Sequence, residues 1–335
     1  RDYKVTGVQT CALPISDITH TLRCQFPLQD WDPALAFTHS REPINPMPVW
    51  QAGLFRDYVP GSVGFVSYSD GANDDVNKVI WTALAWDPDA KPEAIVHEFA
   101  RYFTGVDAFA EGLLALERNW QGALKDNAGV EVTLRQFQSL EQAGGPRLRR
   151  NWRFQQAHYR AAYDAYVRRR LVYETKLESE ARVVLRTMAG GSAAAMTAAE
   201  RILLRAEAER VDPDLRARIF ALAEGLFQSI GMQLSVATYG GSGWERGVTL
   251  DRVDTPLNNR EWLIEQFHTI RDLPDEQARR TAILALLDRE DPGPDGFYDN
   301  LGNPSGQPHF VPDGGLHQQG FWEIRPGPLA WKGRS

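Results

Sequence analysis

Cysteine is scarce in this chain: Cys11 and Cys24 are the two present among 335 residues, with seven histidines. A multi-bridge disulfide framework is therefore excluded. Positive charge is also in short supply, since 37 Lys and Arg stand against 44 Asp and Glu, giving a formal net charge of −7. Binding to nucleic acid or to an anionic membrane surface draws on a clustered basic face, so neither partner is expected. No apolar run approaches the roughly 20 residues that cross a bilayer, and internal repeats and low-complexity tracts are absent. The chain is expected to be soluble, its compartment is left open with the periplasm and the exterior both compatible, and nothing in it calls for a cofactor or a metal.

An apolar fraction of 43% with ten Trp supplies a large core, enough for two domains. Residues 1–16, RDYKVTGVQTCALPIS, resemble the translation of a sequencing-library adapter with its index and are set aside. Cys11 then carries no meaning, Cys24 is the one genuine cysteine, and the natural N-terminus is expected to be missing.

The stretch that orders the rest is Gly64 to Asp87, GFVSYSDGANDDVNKVIWTALAWD. It opens as a short apolar run and turns at Asp70 and Gly71. The period then changes from two to about 3.6, with Val76, Val79, Ile80, Ala83 and Leu84 on one face. That is a strand feeding a helix. Two similar units precede it: residues 17–26 with a helix after Asp32 and Pro33, and residues 42–46 with a helix over 49–58. Three βα units with short connections imply parallel strands and right-handed crossovers. The fold class expected for 17–90 is the last three units of an incomplete (β/α)8 barrel, their polar ends sharing one rim.

A mostly helical domain is expected over residues 91–290. Pro92 starts one helix, Asp107 caps another, a third spans about 132–143, and a long one runs from about 149 to 188 with Trp152, Tyr159, Tyr166 and Tyr173 seven apart. Thr197 and Glu200 read as a capping box, and Asp212 with Pro213 opens a helix to about Leu234. A last pair covers 260–272 and 275–288. Residues 291–335 are rich in Gly and Pro and read as an irregular segment leading to a missing module.

The polar residues at the strand ends suit a sugar or polyol, whose vicinal hydroxyls take paired bonds from carboxylates and amides. Asp70, Tyr68, Asp74 and Lys78 form the first group. His20 and Trp31, the latter a stacking surface for a sugar ring, and Glu42 and Asn45, beside Pro46 and Pro48, complete the set. Asn73, Asp74 and Asp75 equally suit the free N–H groups of a helix N-terminus. His97 and Glu98 do not make a zinc helix, because the position four after the histidine is Arg101.

At Asn45-Pro46-Met47, Gln51-Ala52, Asp57-Tyr58 and Trp86-Asp87-Pro88 the chain resembles the end of the catalytic barrel in hexosaminidase-type glycoside hydrolases, where the barrel passes into a helical domain, as in α-glucuronidase-type enzymes. Over residues 17–310 it is similar to a group of uncharacterised bacterial proteins whose barrels end in the pattern present here as SYSDGANDDVNK. The resemblance implies a C-terminal fragment of a carbohydrate-active enzyme, inactive alone. It implies that Asn45 binds sugar hydroxyls and that the two catalytic carboxylates lie upstream, their separation deciding retention or inversion. The rival expectation is a non-catalytic scaffold that forms a homodimer through the striped long helix.

Overall fold

The computed structural model describes residues 15–19, 32–39, 42–60, 62–69, 71–242 and 247–288. His20, Trp31 and Asp70 lie outside the described residues, as does the 291–335 segment.

Two short strands, β1 (Ile15–Asp17) and β2 (Val66–Tyr68), pair in parallel, Ile15 opposite Val66 and Asp17 opposite Tyr68. The Ile18 amide continues the ladder to the Tyr68 carbonyl at 3.2 Å. Ile15 and Ser16 belong to the adapter-like segment, yet a ladder uses backbone groups and accepts many side chains. The strand expected over 42–46 does not form. Pro43 and Pro46 carry no amide hydrogen for a ladder. Instead the Asn45 amide donates to the Asn73 carbonyl at 3.0 Å, and the Met47 amide to Asn77 Oδ1 at 2.9 Å. Among the described residues the sheet has two strands and no barrel closes.

Helices dominate everything else. The first three are α1 (Pro33–His39), α2 (Pro48–Tyr58) and α3 (Asp75–Trp86). Next come α4 (Pro92–Thr104), α5 (Phe109–Arg118), α6 (Gly129–Ala143) and the single turn α7 (Pro146–Arg149). The 36-residue α8 (Trp152–Thr187) follows, then α9 (Ser192–Ala208) and α10 (Pro213–Ile230). The short α11 (Val236–Tyr239), α12 (Arg260–Arg271) and α13 (Glu276–Leu287) complete the order. Most starts follow from proline at the first position, where the missing N–H costs nothing, or from a capping side chain. Asn151 accepts from the Arg153 amide, Asp212 from Leu215 and Asp275 from Ala278.

The capping box at Thr197 and Glu200 is corrected. Both lie inside α9, which begins after Gly191 (φ 96°), and Thr197 bonds back to the Ala193 carbonyl. The start is held from another element: Glu276 of α13 accepts the Ser192 amide at 2.9 Å and its hydroxyl at 2.6 Å.

Three apolar clusters share α8. One joins α1, the 44–47 segment and Trp120 to Tyr159, Tyr163 and Tyr166 of α8 and to α10. A second packs Ile18, Phe55, Ile80 and Trp81 on Phe99, Leu113, Phe137 and Phe154, so the core runs straight across residue 90. The third, at the far end of α8, joins α9, α12 and α13. Tyr159 and Tyr166 are thus buried within the chain rather than offered to a second copy. None of the described helices is long and apolar enough to cross a membrane.

Candidate functional site

Beyond the carboxyl ends of β1 and β2 a set of polar side chains meets in the interior. Asn77 lies three, four and seven residues before Ile80, Trp81 and Leu84, a spacing that turns it to the buried face of α3. Its Oδ1 takes the Met47 amide, and its Nδ2 reaches the Ile18 carbonyl at 3.0 Å and the Asn45 carbonyl at 2.9 Å. One amide therefore ties the end of β1 to the proline-rich segment and to α3. Asn45, equally buried, donates to the Thr19 carbonyl.

Asp74 is fully buried at the turn before α3. Its carboxylate receives the Thr19 hydroxyl, the Ser69 hydroxyl at 2.9 Å and the Lys78 ammonium at 3.1 Å, and it caps no helix. Burial raises its pKa, against the lowering effect of the Thr19 bond, the Lys78 charge and the Ser69 bond. Lys78 also donates to the Gly71 carbonyl. Asp75 pairs with Arg153 at 2.7 Å, and the Asn73 amide donates to the Glu42 carbonyl at 2.6 Å. The capping expectation for Asn73 and Asp74 thus gives way to bonds that bind the turn to its neighbours.

Of the described residues expected to meet a sugar, the structure brings Asn45, Asp74 and Lys78 into this bracing network. Tyr68 is 44% exposed on β2. Glu42 is buried, and its segment borders an open cleft of about 430 Å³ lined also by Ala72, Asn73, Met232, Gln233 and Gly247. Gly247, at φ 72°, lets the chain come close: a Cβ there would sit 3.3 Å from both Asn73 Nδ2 and the Glu42 carbonyl. Gln156 of α8 joins the cleft to the long helix, donating to the Ala72 carbonyl at 2.9 Å. Amides, a carboxylate and a thioether make a lining able to hydrogen-bond hydroxyls but hold no acid–base pair between them. No group of three or more metal-ligating side chains occurs among the described residues.

A second buried constellation was not foreseen. Asp164 of α8 accepts Arg160 Nε at 2.8 Å, Asn119 at 3.0 Å and the Trp120 indole at 3.2 Å, and meets His39 Nε2 at 2.9 Å. Burial alone would raise its pKa, but Arg160 and His39 hold it down to about 2. Burial lowers the His39 pKa, so the imidazole is neutral and donates to the carboxylate. The guanidinium of Arg160 lies 3.4 Å from the Trp120 ring centroid and donates to the Ile44 carbonyl. The only signal in the sequence is spacing: Arg160 and Asp164 fall on the same face as Val167 and Leu171. Enclosure makes this a brace beneath the cleft segment.

No family model matches the chain, and comparisons with curated proteins and with solved structures return no match.

Proposed function

We propose that this chain is the C-terminal portion of a carbohydrate-active enzyme of the glycoside hydrolase class, with β2 and the residues from Asp17 beside it as part of a (β/α)8 barrel and the helices as its buttress. The observation that supports it is the convergence beyond the carboxyl ends of two parallel strands, the place where such folds put their ligands. There, Glu42 and Asn73 line a polar cleft beside the bracing amides of Asn45 and Asn77. Glu42 and Asn73 would grip hydroxyls, while the carboxylate pair that cleaves the bond would be contributed by other barrel units.

Titration of the chain with neutral oligosaccharides, followed by calorimetry, tests this. Binding that falls at least tenfold in Glu42→Gln and Asn73→Ala, as expected when hydrogen bonds to a charged or amide group are lost, supports the reading. Undiminished binding in both variants, or none in the parent chain, overturns it.

A further inference from the structure

Among the described residues many arginines are matched to carboxylates, as in Arg153 with Asp75, Arg169 with Glu131, Arg216 with Asp254 and Arg271 with Glu200. The turn between α6 and α8 gathers three arginines that stand outside such pairs. Arg147, Arg149 and Arg150 are all exposed there, and none of the described ion pairs includes them. Arg149 Nε donates to the Gly144 carbonyl at 3.1 Å and Arg150 Nε to the Pro146 carbonyl at 3.3 Å, which fixes the stems and leaves the terminal nitrogens for another acceptor.

The turn is anchored to a set of rings. Asn151 donates to the Phe103 carbonyl at 2.8 Å, and the Arg153 guanidinium lies 3.7 Å from the Phe103 ring centroid and 4.2 Å from that of Trp152. Tyr102, 81% exposed, meets Phe103 edge-on at 4.8 Å. Arg153 and Gln156 in the first two turns of α8 connect this face to the cleft through Asp75 and the Ala72 carbonyl.

We infer that Arg147, Arg149 and Arg150, with Tyr102 joined to their turn through Phe103 and Asn151, form a shelf that takes a carboxylated stretch of a polysaccharide whose neighbouring residues enter the cleft. Planar guanidinium forks match carboxylates in two-point contacts, and an exposed tyrosine ring offers a face to sugar C–H groups. This inference rests on the glycan reading of the cleft.

The test compares oligogalacturonate with its neutral methyl ester, titrated into the chain at low and at 0.5 M salt. The acid should bind more tightly than the ester and lose that advantage in salt. The combined variant Arg147→Gln, Arg149→Gln, Arg150→Gln should weaken acid binding roughly tenfold, since exposed pairs each contribute modestly. Ester binding and the far-ultraviolet spectrum should stay as in the parent. Equal binding of acid and ester removes the shelf and leaves the cleft; failure of both to bind removes both. An unchanged affinity of the variant, or an oligonucleotide bound as tightly as oligogalacturonate, also overturns the inference.

Discussion

Asp164 shows how much a single buried charge can hold. Four donors from three separate parts of the chain converge on one carboxylate, and among those donors the positive charge comes from Arg160. Asp164→Asn leaves the Arg160 guanidinium enclosed without its counter-charge. It is expected to cost about 3–5 kcal/mol in urea unfolding. Because the Asp164 pKa is held down to about 2 from 3.8, this contribution is present above pH 4 and fades as the pH falls toward 2. Glu117 works in the opposite sense. Burial pushes it up to about 7, although it accepts the Val49 and Trp50 amides at 2.8 and 2.7 Å. Its folded form keeps a proton that the unfolded chain releases, so its share of stability is complete below pH 4.5 and disappears as the pH rises through 7. Glu117→Gln should flatten that part of the stability profile by roughly 3 kcal/mol between pH 4 and 8; a parent and variant with parallel profiles would refute the assignment.

Among elements, α5 and α6 meet most tightly at a glycine. A Cβ on Gly112 would lie 2.9 Å from the tip of the Phe137 ring, which is fully buried against Phe109 and Phe154 and has nowhere to turn. Gly112→Ala is expected to cost about 1–3 kcal/mol despite its better helix propensity, read as a lower denaturation midpoint. Several helix starts were legible, because Pro92 and Pro213 and the caps Asp212 and Asp275 act locally, whereas Asp107, expected as a cap, bonds to His97 and Arg101 instead. The start of α9 was not, because its cap is Glu276, more than eighty residues away. The same distinction applies to the site. Asn77 and Asp74 look alike as polar residues at a helix entrance, and only their distant partners, Ile18, Met47 and Thr19, make them braces. The 42–46 run resembles a strand until its prolines are counted as missing donors.

For the whole molecule, the three clusters differ in independence. The third draws on α9, α12, α13 and the end of α8, whereas the first two interleave around the cleft and its braces. Phe267→Ala, at a fully buried site of that third cluster, should cost about 3–5 kcal/mol. Its loss of amide protection in hydrogen exchange should be confined to α9, α12, α13 and the last turns of α8. A uniform loss through α3 and α5 would mean that the clusters unfold as one.

The 36 residues of α8 pass through every cluster without a break. A strut about 54 Å long makes its two ends answer to the same push. For anyone dividing this protein into complementing halves, the seam belongs at the loop near Gly240, outside that rod. Severing the rod itself would separate both halves from the spine that aligns them.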